Sequence, residues 1–322
     1  MIAMAGRPRT TAEVPPGYIV RAARWEDLPA VAALITARGM DWGTPDTTAD
    51  ILRSDWWDHP AMDRAKDTWI VERCGRVCGH ALVLATSREE LYAWWVVAPD
   101  NPEPRLDSLL VELIEERARE QAGMTGEGAV VVLRVTVTGP DRAPHDLLGR
   151  RGFLPARHFW RMDRRLDQKP PPPEAPEGIA IRSFQRGVDE RAVHAVFEEA
   201  FAGSWGFVSM PFDEWATLRL GWEGFDPSLW FVAVDDAITL GALAARVVGG
   251  TGWISSLGVR PRDRGRGIAT ALLRTSFAEF HRRGVANASL YVDAANETGA
   301  TALYERVGMR VAKRDDMYEK RV

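Results

Sequence analysis

Arg262, Arg264 and Arg266 alternate with Asp263, Gly265 and Gly267 inside "LGVRPRDRGRGIATALL", Leu257 to Leu273. Cations beside backbone that carries no side chain suit one chemistry well, the holding of a phosphate. Glycine removes the Cβ that would keep an anion away from backbone N–H groups, and arginine supplies positive charge. The bland alternative is a tight turn with a solvated basic face. The stretch is neither of two common phosphate loops, since G-x-x-x-x-G-K-[ST] and G-x-G-x-x-G are both absent from it.

The neighbouring elements decide where those groups would point. "WISSLGV", Trp253 to Val259, is rich in strand formers and is stopped by Pro261. "GIATALLRTSFAEFHRRG" then places Ile268, Leu272, Leu273, Phe277 and Phe280 at helical spacing, and Gly284 stops the run. The glycines therefore fall at the first turn of a helix. There the N–H groups lack helical partners and the dipole end is positive. The pattern predicts a phosphate cradle at a helix N-terminus.

"VRPRDRGRGIATALL" resembles the acyl-CoA-binding motif of the GNAT superfamily of N-acetyltransferases, [QR]-x-x-G-x-[GA], through Arg264, Gly267 and Ala269. A second block, "LYVDAANETGATALYERVGM", resembles the later part of the same family, with Asn296, Ala302, Leu303-Tyr304 and Gly308. The resemblance implies a splayed mixed sheet with acetyl-CoA in the gap between its fourth and fifth strands. It implies pyrophosphate held by backbone amides across Arg264, Gly265, Arg266, Gly267, Ile268, Ala269 and Thr270. It implies that the strand end at Leu257, Gly258 and Val259 pairs with the pantetheine arm and polarises the thioester carbonyl. Asn296 would contact that arm, Ala302 would line the site, and Tyr304 would protonate the leaving thiolate. A phenol of ordinary pKa about 10 suits proton transfer to a thiolate of about 8.5. Packing for Tyr304, and a helix cap near Thr298 for Asn296, are the structural alternatives.

The chain reads as two such halves. "DQKPPPPEAPEG", Asp167 to Gly178, contains four consecutive prolines and forms a semi-rigid spacer. The expected organisation is a tail over 1–16, a first domain over 17–166, the linker over 167–178 and a catalytic domain over 179–322. Each half opens with a strand ending in Arg, "YIVR" and "IAIR". Each continues through a helix, a hairpin, a strand ending Val-x-Pro (Val97–Pro99 and Val259–Pro261), and a closing Gly-Phe or Gly-Met. The fold class expected is α/β (α+β), two tandem GNAT-like domains, each a mixed, splayed central sheet flanked by helices. This plan is similar to that of mycothiol synthase and its relatives.

The first half lacks the chemistry. Alignment on Val-x-Pro sets Pro102 on Arg264, Glu103 on Gly265, Arg105 on Gly267 and Asp107 on Ala269. Proline lacks an N–H, and carboxylates repel a pyrophosphate. Alignment on the closing glycine sets Leu148 on Tyr304 and Pro140 on Asn296. No cofactor is expected there.

On the acceptor side, relatives in the family often carry a Glu on the fourth strand. Here that position lies close to Trp253, and the strand has no carboxylate. Candidate bases are Glu198, Glu199, Asp213 and Glu214, with Glu223 and Asp226 further along. Trp205, Phe207 and Trp215, among Phe212 and Trp222, are candidates for a substrate wall or for core packing. Trp42, Trp56 and Trp57 form a similar cluster in the first half. His194 and His281 read as surface or packing residues.

Composition excludes several classes. Lys+Arg number 41 and Asp+Glu 45, a net charge of −4, which argues against a nucleic-acid binder. Cys74 and Cys78, on a hairpin with Gly75 and Gly79 near its turns, are the only cysteines. No metal is expected from them, and no cysteine in the second half could carry an acyl-enzyme. The apolar runs are too short for a membrane span and the first residues lack a signal core, so a cytoplasmic protein, monomer or homodimer, is expected. The activity expected is direct acetyl transfer from acetyl-CoA to a small-molecule amine. The alternatives are a protein or peptide amine as acceptor, and a non-catalytic acyl-CoA sensor.

Overall fold

The computed structural model describes residues 12–40, 45–125, 130–139, 141–221, 225–296 and 298–322. In chain order the first half gives β1 (Tyr18–Arg21), α1 (Leu28–Ala37), α2 (Pro45–Ile51), α3 (Arg64–Asp67), β2 (Thr68–Arg73), β3 (Arg76–Ala85), β4 (Glu90–Val97), α4 (Leu106–Ala122), β5 (Val132–Thr138), α5 (Arg142–Arg150) and β6 (Leu154–Arg165). The second half gives β7 (Ala180–Ser183), α6 (Glu190–Phe201), α7 (Phe212–Leu220), β8 (Phe231–Asp235), β9 (Ile238–Val248), β10 (Thr251–Val259), α8 (Ile268–Arg282), β11 (Asn287–Asp293), α9 (Ala300–Arg306) and β12 (Arg310–Arg321).

The repeat extends to single side chains. Each half turns from its first strand into its first helix on a two-pronged arginine–aspartate pair. Arg21 meets Asp27 at 2.7 Å through both prongs, and the Arg24 N–H donates to the same carboxylate at 2.7 Å. Arg182 meets Asp189 at 2.6 and 2.8 Å, and the Gln185 N–H donates to it at 2.7 Å. Both carboxylates are buried. The planar guanidinium fork fixes the corner angle as well as the charge.

The chain forms two compact units, Met1–Phe159 with Lys313–Val322, and Trp160–Ala312. In the first unit the strand order is β1-β2-β3-β4-β5-β12, and in the second it is β6-β11-β10-β9-β8-β7. This differs from the boundaries expected at 166 and 179, because each unit takes its sixth strand from the other half of the sequence. The first unit gains the end of β12, which pairs antiparallel with β5 from Asp315↔Thr138 to Arg321↔Val132. There Met317 is buried, and Lys320 bonds Glu115 at 2.6 Å and the Arg151 carbonyl at 2.7 Å. The second unit gains the end of β6, whose Met162 is fully buried in a core with Phe277, Phe280 and Val285. Leu166, just beyond, donates its N–H to the Ala286 carbonyl at 2.7 Å. Hydrophobic pattern alone marks such strands but not which sheet receives them.

In both units the central parallel pair separates. β10 stays antiparallel to β9 down to Val259↔Gly241, with a register shift between Ile254 and Ser256. It pairs with β11 only at Thr251↔Asn287, Gly252↔Ala288 and Trp253↔Ser289. β4 and β5 pair only from Glu90↔Val132 to Ala93↔Val135, although β4 continues to Val97. The hairpin turn between β2 and β3 falls on Cys74 and Gly75, both at positive φ, while Gly79 lies inside β3. Among the described residues no group of His, Cys, Asp and Glu could hold a metal, and no helix is long and apolar enough to cross a membrane.

Two outcomes test this frame. Burial pushes the Asp189 carboxyl up, but Arg182 and the Gln185 N–H outweigh it and hold it below the ordinary range. Its contribution is therefore complete above the unfolded-state aspartate pKa and disappears as pH falls through the lower folded value. Asp189→Asn should cost about 3 kcal/mol near neutrality and weaken the acid-dependent fall in stability, read by urea unfolding at a series of pH values. Residues 1–172 and 173–322 produced as separate chains should each lack cooperative thermal unfolding. Co-production should restore it. A sharp transition in either piece alone would contradict the exchanged strands.

Candidate active site

β10 ends at Val259, Pro261–Asp263 forms one short turn, and Gly267 caps α8. Gly265 and Gly267 have φ of 79° and 83°, the left-handed region that L side chains avoid. The first helical hydrogen bond runs from the Ala271 N–H to the Gly267 carbonyl at 3.1 Å. The N–H groups of Ile268, Ala269 and Thr270 precede it and have no helical partner. Where a Cβ on Gly265 would lie there is open space, so an anion could approach this backbone. The residues fit a pyrophosphate.

The arginines mainly shape the loop. Arg264 donates to the Ala200 carbonyl at 3.0 Å, at the end of α6, and more weakly to the Val259 carbonyl at 3.4 Å. Arg266 bonds the buried Asp263 at 2.9 Å, and Arg262 lies 3.6 Å from the same carboxylate. Arg262 and Arg266 remain exposed enough to add positive potential at the mouth.

The strand end supplies backbone groups. The Arg260 N–H donates to the Leu240 carbonyl on β9 at 2.9 Å. Alternation then turns Gly258 toward β9, and Leu257 and Val259 toward the side where β11 has left. Gly258 also lets α6 close on the strand, because a Cβ there would lie 3.0 Å from both Phe197 and Ala200.

Tyr304 is buried on α9, and burial pushes its phenol up to about 12. Ala302 is exposed on the same helix. Asn296 accepts from the Thr298 N–H at 2.9 Å and from its hydroxyl, so it braces the turn before α9. One supporting residue has no signal in the motifs. Arg164, on β6, donates to the Val307 carbonyl at the end of α9 and lies 4.7 Å over the Phe277 ring. It comes from the first half of the sequence, where motif reading assigned it to another domain.

The acceptor-side candidates separate. Glu198 accepts from the Ser209 hydroxyl at 2.6 Å and the Met210 N–H at 3.2 Å, closing the loop between α6 and α7. His194 bonds the Met210 carbonyl at 2.8 Å in the same network. Glu199 lies 3.7 Å from Arg260. Asp213 and Glu214 are exposed in the first turn of α7, where they complement its dipole. Of the two readings open for Trp215, substrate wall or core packing, the structure shows the second: it is built into the core with Trp230 and Phe197, because its helix position faces the sheet. Trp205 and Phe207 are half-buried on the loop, and Phe207 lies against Phe201. Asp226 caps the next turn and bonds Arg283 at 2.6 Å. His281 bonds the Leu166 carbonyl at 2.8 Å as a packing residue. Trp57 is core, while Trp56 stacks edge-on against Trp94. Trp42, Pro140, Trp222 and Glu223 lie outside the described residues.

The first unit fills the equivalent helix end with its own carboxylates. Glu103 accepts from the Arg105 N–H at 3.1 Å and from its guanidinium at 2.8 Å. That guanidinium, with the backbone N–H, holds the Glu103 carboxyl below its ordinary range. Asp107, in the first turn of α4, accepts from the Trp95 indole at 2.7 Å. Leu148 is fully buried where the second unit has Tyr304.

Comparison with known proteins gives this site its class. The model of the acetyltransferase (GNAT) family matches residues 191–309. A mycothiol acetyltransferase from Thermobispora bispora is 30% identical over 274 residues, spanning 79% of this chain and 88% of that protein. A crystal structure of a GCN5-related N-acetyltransferase from Sphaerobacter thermophilus matches with a TM-score of 0.84 and 34% identity, over 96% of this chain and 97% of that one. A tandem GNAT protein from the clavulanic acid biosynthesis pathway shares the fold, with a TM-score of 0.69 at 17% identity over 94% and 98% of the two chains. The fold and the comparisons define an acyltransferase. The chain belongs to the GNAT family of acetyltransferases, in its tandem form, with the mycothiol acetyltransferases among its relatives.

Gly267→Ala forces a Cβ into a left-handed position at about 1–2 kcal/mol. It should weaken acetyl-CoA binding roughly tenfold by calorimetry and leave the fold intact. The same titration of the unaltered chain should give one site per chain; a stoichiometry of two would show that the first unit also binds.

Proposed function

We propose that the second unit transfers an acetyl group from acetyl-CoA directly to the amine of a small molecule. The observation that carries this reading is the Gly267-capped start of α8 beside the open flank of β10. A helix N-terminus that attracts a diphosphate and a strand edge that can pair with an amide-bearing arm meet there. The similarity to a mycothiol acetyltransferase supports a small-molecule acceptor.

When bound, acetyl-CoA supplies the activated acyl carbon. The chain's own residues do the rest. The amides of Gly265 to Thr270 hold the diphosphate, and the Leu257 and Val259 backbone orients the arm and polarises the carbonyl. Asn296 steadies the turn that places α9, and Ala302 and Tyr304 present that helix to the gap. Tyr304 gives its proton to the departing sulfur. A phenol held at about 12 stays protonated across the neutral range, and burial that raises the phenol also raises a thiol in the same surroundings, so the two remain matched. Both cysteines lie in the first half, which leaves direct transfer rather than an acyl-enzyme.

Tyr304→Phe should lower kcat between about a hundredfold and ten-thousandfold with acetyl-CoA affinity nearly unchanged, read as thiol release over an amine panel. The unaltered protein should show no alkaline loss from phenol ionisation below about pH 10, given a folded pKa of about 12. Acetyl-CoA binding without thiol release from any amine would point to a sensor instead.

A further inference from the structure

The last helix of each unit ends on a cation from the borrowed sixth strand. In the first unit, Lys320 donates to the carbonyl of Arg151, the residue that caps α5, at 2.7 Å. In the second, Arg164 donates to the carbonyl of Val307, which caps α9. The two cations are equivalent in register. The Val322 N–H bonds the Val131 carbonyl at 3.0 Å just before β5, and the Leu166 N–H bonds the Ala286 carbonyl at 2.7 Å just before β11. Each of these bonds falls two residues past its cation. A positive side chain suits the negative end of a helix, so the shared contact belongs to the fold.

The surroundings of the two cations differ. In the first unit Lys320 bonds Glu115 at 2.6 Å, Arg151 bonds Glu115 at 2.8 Å, and Glu112 lies 3.6 Å from Arg151. Two cations there meet two carboxylates. With α4 counted from Leu106 and α8 from Ile268, Phe277 stands in the place of Glu115 and Arg274 in the place of Glu112. Val307 stands in the place of Arg151, one residue before the closing glycine. Arg164 lies 4.7 Å over the Phe277 ring. Among the described residues neither Arg164 nor Arg274 is paired with a carboxylate. Burial and the charge of Arg274 together hold the Arg164 guanidinium below its ordinary range. Both side chains are only half-buried, so a ligand can reach them. Two neighbouring guanidiniums repel each other unless an anion joins them.

We infer that Arg164 and Arg274 form a second anion site in the second unit, on the flank of α8, and that it takes a phosphate monoester. Planar guanidinium forks match phosphate oxygens two at a time. Where the first unit supplies its own carboxylates, the second leaves this charge for a ligand. Arg274 lies one turn beyond Thr270 on the same face of α8, about 10 Å along the helix from Gly267. The monoester has two sources, a free phosphate and the 3′-phosphate on the ribose of acetyl-CoA. The second source rests on the transferase reading above and extends the donor's hold from the start of the helix to its flank.

Acetyl-CoA and its 3′-dephospho form differ only in that monoester. In phosphate-free buffer, calorimetry on the full chain should show the dephospho form binding about tenfold to a hundredfold more weakly. Arg274→Gln should bring the two donors to the same affinity. Arg282→Gln, which removes an exposed cation paired with Glu279 on the same helix, should leave the difference in place. If the source is a free ion, the two donors bind alike, and inorganic phosphate at constant ionic strength raises the Tm of the unaltered chain but not of Arg274→Gln. Arg274→Glu, which sets an acid where the first unit has Glu112, should raise the Tm without any anion and abolish both responses. Equal donor affinities together with a Tm indifferent to phosphate would overturn the inference. So would a donor preference or a phosphate response that survives in Arg274→Gln. Acetyl-CoA that fails to bind the unaltered chain at all would remove the transferase reading instead.

Discussion

A strand cannot be paired on both edges and also offer an edge to a ligand. β10 meets this constraint by keeping β9 along its length and β11 for three residues only. The register shift at Ser255 lets the strand bend as its partner departs. Beyond Trp253 the outward backbone of Leu257 and Val259 has no neighbouring strand. The capped helix start and the position of α9 both take their places from that opening. A fully zipped sheet would leave the glycine-rich loop attached to a surface with nowhere for the rest of an acyl carrier to lie.

The two units separate frame from function. Both have the arginine–aspartate corner, the antiparallel flank and the parting parallel pair. Only the second leaves its helix start open. In the first, Glu103 sits on the Arg105 N–H and Asp107 draws in the Trp95 indole. A carboxylate already placed at the positive end of a helix does the electrostatic work that a phosphate would do. The helix end is stabilised in either case, so this fold does not need a bound phosphate to hold the corner.

Much of this was legible in the residues. Glycine at positive φ, apolar spacing along α8, and the Val-x-Pro repeat are local signals, and the structure places each where the pattern predicts. What escaped reading is non-local. Nothing in the pattern of "FWRMDRRL" says that Met162 packs under α8, or that Arg164 braces the end of α9. Trp215 stayed open between wall and core because aromatic content says nothing of which way a helix turns. Glu198 stood among the candidate bases with no sign of its partners, because Ser209 and Met210 become neighbours only when the α6–α7 loop closes.

The exchanged strands also bear on synthesis. A chain is made from its first residue onward, and leading domains usually fold as they emerge. Here the first unit stays open beside β5 until residues 315–321 exist, since those residues close it. The second unit, by contrast, has its borrowed strand waiting before its own first residue is made. The domain that emerges first is therefore the one that finishes last. Until then its β5 edge is an unpaired template for other strands, so the half without the cofactor motif sets the risk of misassembly for the half that has it.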